Sequence, residues 1–163
     1  MNTSAKAFHK SPGQYPDTLS QNILVIGYGN TLRGDDGVGP SVAEVIEALR
    51  LPHVCTLVCP QLSPEHAEPI SRAHKVVFVD AAADGSHELQ LRELVPGDTT
   101  QLMAHAADPR TMLALARDVF GHAPKAWWLT IPAVNLEFGE SLSPAAERGC
   151  HEAVEKIKAL SRL

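Results

Sequence analysis

Apolar positions along this chain follow two alternating rhythms. Ile23-Leu24-Val25-Ile26-Gly27 is a short continuous apolar run that stops at a glycine, which predicts a buried strand. Val38, Val42, Val45, Ile46 and Leu49 then recur at helical spacing, predicting a helix over Val38–Leu49. Val54–Cys59 predicts a second strand, and Pro64–Ala73 a helix with Ser63 as its cap and Pro64 at its first position. Lys75-Val76-Val77-Phe78-Val79-Asp80 predicts a third strand, apolar throughout, as in strands covered on both faces. Glu88–Val95 alternates through Leu89, Leu91 and Leu94, which predicts a further strand or half a hairpin. Met112, Leu115, Ala116 and Val119 predict a helix over Thr111–Phe120, with Asp108 as cap, Pro109 as first residue and Gly121 as stop. Ala126–Ile131 predicts a strand closed by Pro132. Pro144–Leu160 predicts a last helix capped by Ser143, with Val154, Ile157 and Leu160 facing inward.

Strand and helix thus alternate, with one pair of consecutive strands in the middle. This order predicts the α/β class: a three-layer α/β/α sandwich around a mainly parallel, twisted sheet, with Glu88–Val95 as the candidate antiparallel strand. In such folds, sites form outside the carboxyl ends of the strands. Residues 1–21 break the rhythm. They are polar, contain Pro12, Gly13 and Pro16, and lack the continuous apolar stretch of a signal peptide. They read as a flexible tail, leaving residues 22–163 as a single domain and the cytoplasm as the expected location.

Composition narrows the picture. The chain has 163 residues, 44% hydrophobic and 20% charged, which suits one soluble domain with a substantial core. A net charge of −5 and the lack of a basic stripe speak against a nucleic-acid partner. No run approaches the apolar length of a membrane span. The three cysteines, Cys55, Cys59 and Cys150, form no disulfide framework. Cys55 and Cys59 point to one face if their segment is a strand, and read as buried thiols.

Candidate chemistry begins where the first strand ends. Gly27-Tyr28-Gly29-Asn30-Thr31-Leu32-Arg33-Gly34-Asp35-Asp36-Gly37-Val38-Gly39 carries two adjacent carboxylates to the start of a helix. The third glycine of a dinucleotide fingerprint would fall at Leu32, and carboxylates repel phosphate. Carboxylate oxygens are instead hard ligands for a metal ion. Asp80 ends the third strand, so in a parallel sheet it projects from the same edge as Asp36. His105 lies in a loop before a capped helix and completes a two-carboxylate, one-imidazole set open to substrate or water. Other readings stay open. Asp35 and Asp36 complement a helix dipole, Asp80 suits a hydrogen bond to a neighbouring loop, and His105 competes with the rest of eight histidines, His66 foremost. Neither a G-x-S-x-G elbow nor a catalytic setting for Cys59 is present. Trp127 and Trp128 face opposite ways on a strand, one toward the core and the other toward a possible partner.

The Gly27–Gly39 motif closely resembles the opening motif of the NiFe-hydrogenase maturation endopeptidases. The resemblance continues through Val77-Phe78-Val79-Asp80-Ala81-Ala82, the histidine loop before Pro109, and the segment Pro132–Pro144 ending Leu142-Ser143-Pro144. It covers roughly Asn22 to Leu160. It implies an α/β/α sandwich and an enzyme that trims a C-terminal peptide from the hydrogenase large-subunit precursor after nickel is installed. The family's metal position is surrounded by residues that match Asp36, Asp80 and His105, with nickel supplied by the substrate. Relatives often carry Asp-Gly-Gly-Thr after the second strand. Here that place reads Cys59-Pro60-Gln61-Leu62-Ser63-Pro64-Glu65, which resembles the branch serving cytoplasmic, bidirectional, NAD(P)-linked hydrogenases. Gln61 and Glu65 become candidates for reading the large subunit. A monomer is expected. Two rival classes remain at this stage: a non-hydrolytic nickel-sensing chaperone and a general metal-dependent hydrolase.

Overall fold

The computed structural model describes residues 22–101 and 107–163. The expected flexible tail over residues 1–21 and the candidate ligand His105 both lie outside the described residues. Five strands, β1 (Ile23–Tyr28), β2 (Val54–Cys59), β3 (Lys75–Ala82), β4 (Gln90–Leu94) and β5 (Lys125–Pro132), form one sheet in the order β2-β1-β3-β5-β4. All neighbours are parallel except β4, which pairs antiparallel with β5 at the edge. The three-layer expectation and its single antiparallel strand both hold.

Among the described residues, four α-helices cover the sheet: α1 (Val38–Leu49), α2 (Ala67–Arg72), α3 (Pro109–Phe120) and α4 (Pro144–Ser161). On one face, Leu24, Ile26, Val76 and Phe78 meet Ile70 of α2 and Met112, Leu113 and Ala116 of α3. On the other, Val25, Val77, Val79 and Ile131 meet Val38, Val42 and Ile46 of α1 and Ala153, Val154 and Ile157 of α4. Strand alternation feeds both layers, which is why β1 and β3 are apolar without interruption. Each large side chain fully buried this way contributes about 1.5–3 kcal/mol.

Several local departures have physical causes. The helix expected over Pro64–Ala73 is a 3-10 turn, Pro64–His66, followed by α2. The Ser63 N–H donates to His66 Nδ1 at 2.9 Å, so His66 locks this turn. Val45, Leu49 and Val119 share helical spacing with core residues yet lie exposed, because only a narrow stripe of each helix meets the sheet. Strand β3 runs two residues beyond Asp80, since Ala81 and Ala82 find partners in Ile131 and Pro132. Trp128 packs on the α2–α3 layer and Trp127 on the α1–α4 layer, each half-buried. Cys55 and Cys59 share the α2–α3 layer, and none of the three cysteines forms a disulfide among the described residues. Among the described residues, no helix is long and apolar enough to cross a membrane.

Candidate active site at the carboxyl edge of the sheet

The strand registers line up residues across the sheet in rungs. On the α2–α3 face, Leu57, Ile26, Phe78 and Trp128 occupy one rung, with Arg92 of β4 over the Trp128 ring, 6.0 Å from its centroid. The next rung toward the carboxyl edge is polar. Cys59 pairs with Tyr28, Asp80 with Thr130, and Thr130 with Gln90. Tyr28 and Asp80 close the gap between β1 and β3: the Tyr28 hydroxyl donates to Asp80 Oδ2 at 3.0 Å. The apolar core therefore ends in a line of hydrogen-bonding groups at the edge where parallel α/β sheets place their sites.

Asp80 is held from two sides. Its Oδ2 takes the Tyr28 hydroxyl and its Oδ1 takes the backbone N–H of Ala81 at 2.8 Å. Burial pushes its carboxyl up to about 6, and the charge of nearby Asp36 adds to the rise, while the Tyr28 and Ala81 donors oppose it. Tyr28 itself is nearly fully buried. Burial first, and then the Asp80 charge and hydrogen bond, push its phenol far above the usual range, with Trp128 opposing. Tyr28 is thus a permanent donor. The Trp128 indole N–H is buried with no acceptor in hydrogen-bond range among the described residues.

Asp36 reaches the same edge from the turn after β1. Its Oδ2 accepts the Asn30 N–H at 2.8 Å, and the Asn30 side-chain oxygen accepts the Leu32 N–H at 2.9 Å. Gly29 makes this turn possible. Its φ is +142°, and a Cβ there would lie 2.0 Å from the Asp36 carbonyl oxygen. Gly39 serves the same end from α1. A Cβ on it would meet the carbonyl oxygens of Tyr28 at 2.4 Å and Val79 at 2.5 Å, so only glycine lets the helix start against β1 and β3.

Asp35 behaves differently from its neighbour. It is fully buried and does not cap α1. Its carboxylate accepts the backbone N–H groups of Val134, Asn135 and Ser143 at 2.9, 3.0 and 2.7 Å, and the Ser143 hydroxyl at 2.8 Å. Burial works against its charge, but these donors win and hold the carboxyl below the usual range. Backbone bonds from Gly34 N–H to Gly139 O, from Gly139 N–H to Leu32 O and from Asp35 N–H to Asn135 O complete a clamp between the β1–α1 turn and the β5–α4 loop. Asp35 lies in the first turn of a short 3-10 helix, Gly34–Gly37, that leads into α1, and its side chain is committed to this clamp. Ser143 also caps α4, accepting the Ala146 N–H at 3.2 Å, so one hydroxyl joins the turn to the last helix.

The remaining candidates separate by position. Gln61 and Glu65 are both exposed and lie just after β2, on the same sheet edge. Glu65 is near enough to Cys59 that its charge, added to the larger effect of burial, pushes that thiol up to about 12, which rules it out as a ready nucleophile. Asp108 caps α3, accepting the Arg110 N–H at 2.8 Å, and its charge is felt at Tyr28. The chain therefore resumes after residues 102–106 within electrostatic reach of the Tyr28–Asp80 pair. Among the described residues, no three His, Cys, Asp or Glu side chains converge on one point as a metal cage. Two carboxylates in mutual electrostatic reach can offer hard oxygen ligands to a cation or exchange protons with water.

Neither a protein-family model nor a curated protein matches this chain. Solved structures do match. A hydrogenase 2 maturation peptidase from Thaumarchaeota archaeon SCGC_AB-539-E09 is 25% identical, with a TM-score of 0.63 over 85% of this chain and 97% of that one. The fold is shared with hydrogenase maturation peptidases. HybD, a hydrogenase-maturating endopeptidase from E. coli, is 21% identical, with a TM-score of 0.69 over 86% of this chain and 92% of that one. HycI, a NiFe-hydrogenase maturation protease from Thermococcus kodakarensis KOD1, is 23% identical, with a TM-score of 0.67 over 87% and 93%.

Sequence reasoning brought Asp36 and Asp80 to one edge but missed Tyr28, Trp128 and the clamp made by Asp35. A signal for Tyr28 was present: a polar aromatic residue ends an apolar strand in line with the aspartate that follows the next one.

Proposed function

We propose that this protein is an endopeptidase that removes a C-terminal peptide from the nickel-loaded large-subunit precursor of a NiFe hydrogenase. The observation that carries this reading is that Asp80 lies near the end of β3 and Asp36 follows β1 at the carboxyl edge of adjacent parallel strands, near enough for the charge of one to act on the other, in the fold of the maturation peptidases. In this reading nickel belongs to the substrate. Asp36 and Asp80 offer it oxygen ligands, and His105 offers a nitrogen ligand. Recognition of the ion brings the scissile bond to the edge, and a precursor without nickel lacks the group that these side chains hold. Hydrolysis adds water across the peptide bond: the C–N bond breaks, one fragment leaves as a carboxylate, and the departing amine takes a proton. Asp36, anchored through one oxygen by Asn30, is the base assigned to the water.

Gln61 and Glu65, exposed beside the edge, are assigned to reading the surface of the large subunit. The Cys59–Glu65 segment supports a partner of the cytoplasmic, NAD(P)-linked class, with the enzyme acting as a cytoplasmic monomer. The test mixes purified protein with the precursor, nickel-loaded or nickel-free, and follows the precursor's mass. Loss of a C-terminal peptide from the nickel-loaded form alone is the expected result. Complex formation without any change in mass makes the protein a chaperone instead. Turnover of small peptides or esters with added metal, without action on the precursor, makes it a general hydrolase.

A further inference from the structure

We infer that Tyr28 is the positioning residue for Asp80: its hydroxyl fixes one carboxylate oxygen and so sets the direction in which Asp80 meets the substrate's metal ion. The inference rests on the functional reading above and deepens it.

Three observations carry it. First, the Asp80 carboxylate is gripped at both oxygens, by the Tyr28 hydroxyl at 3.0 Å and the Ala81 N–H at 2.8 Å, and two donors on different oxygens fix the plane of the group. Second, the Tyr28 ring has no freedom to wander. It is 7% exposed and sits in the α2–α3 layer with Ile26, Phe78, Leu62 and Met112. A phenylalanine fills that space equally well, and a buried hydroxyl costs free energy unless it is bonded. The hydroxyl is therefore explained by its bond to Asp80 and not by packing. Third, the donor is neutral. A lysine or arginine in its place would cancel the carboxylate's charge and weaken its hold on a cation, whereas a phenol orients the group and leaves the charge in place.

The test is Tyr28→Phe, which keeps the ring. Affinities for nickel-loaded and nickel-free precursor are measured separately, beside the cleavage rate and the thermal midpoint. The inference expects about a tenfold loss of affinity for the nickel-loaded form, with the nickel-free affinity and the midpoint nearly unchanged. In an Asp80→Asn background, Tyr28→Phe should cost nothing further in affinity, because the group it positions is gone. Wild-type affinity and rate in Tyr28→Phe overturn the inference. So do equal losses for both precursor forms, or losses that multiply with Asp80→Asn, since those mark a merely structural role. A wild-type protein that neither cleaves nor distinguishes the two forms overturns the functional reading itself, and the inference with it.

Discussion

Asp35 has its carboxylate filled by three backbone N–H groups and a hydroxyl, all from the segment Val134–Ser143. Asp36, the next residue, takes one N–H from its own turn and stands at the sheet edge beside Asp80. The same side chain thus does two jobs in consecutive positions. A carboxylate whose lone pairs are committed to the fold is locked as an anion and has nothing to offer a substrate. A carboxylate with few partners costs the fold more to keep charged, and can bind a cation or take a proton. The pKa directions differ as well: hydrogen-bond donors hold Asp35 below the ordinary range, while burial pushes Asp80, across the edge, above it.

The comparison can be broken in stages. Asp35→Ala strands three donors inside the clamp between the β1–α1 turn and the β5–α4 loop. A stability loss of about 3 kcal/mol is expected, read as a thermal midpoint lower by roughly 10 °C. A midpoint within two or three degrees of wild type would remove Asp35 from its structural role.

The pH dependence of the two sites has opposite sign. Asp35 binds protons less readily folded than unfolded, so its contribution is present above the ordinary carboxylate pKa and fades as pH falls below it. Asp80 holds its proton up to about 6 in the folded state. Between roughly pH 4 and 6 the folded state therefore binds more protons than the unfolded one, and Asp80 costs stability as pH rises through that window. Asp80→Asn should accordingly gain on the order of 1–2 kcal/mol relative to wild type at pH 8, with the difference closing toward pH 4. Cleavage moves the other way, because a cation needs the ionised form: the wild-type rate should climb as pH rises through about 6. A rate flat from pH 5 to 8 would separate Asp80 from the chemistry. The smallest effect belongs to the rim. Joint replacement Gln61→Ala and Glu65→Gln should weaken precursor binding by less than tenfold, since exposed polar contacts contribute little each. A larger loss would make that loop a main determinant of recognition.

Much of this architecture is legible along the chain. Continuous apolar runs mark β1 and β3 because both faces of a parallel sheet are covered, and the caps Asp108 and Ser143 mark the starts of α3 and α4. The parallel rule then places Asp36 and Asp80 together. Contacts between distant segments are not legible in this way. Asp35 bonds to Ser143 across 108 positions, and no local pattern announces such a pair. Tyr28 meets Asp80 only once the β1–β3 register is known. His66 looks like a free imidazole until its bond to Ser63 is seen. His105, in residues 102–106, lies outside the described residues, so its role stands on the reading proposed above.

The most direct measurement pairs Asp36→Asn with Asp35→Asn, assaying thermal midpoint and cleavage of nickel-loaded precursor in the same preparations. The account predicts that Asp36→Asn keeps the wild-type midpoint and loses cleavage by 100-fold or more, on the order expected for a lost general base. It predicts that Asp35→Asn lowers the midpoint while its folded fraction still cleaves. An Asp36→Asn protein that trims the precursor at the wild-type rate would contradict the account at its centre.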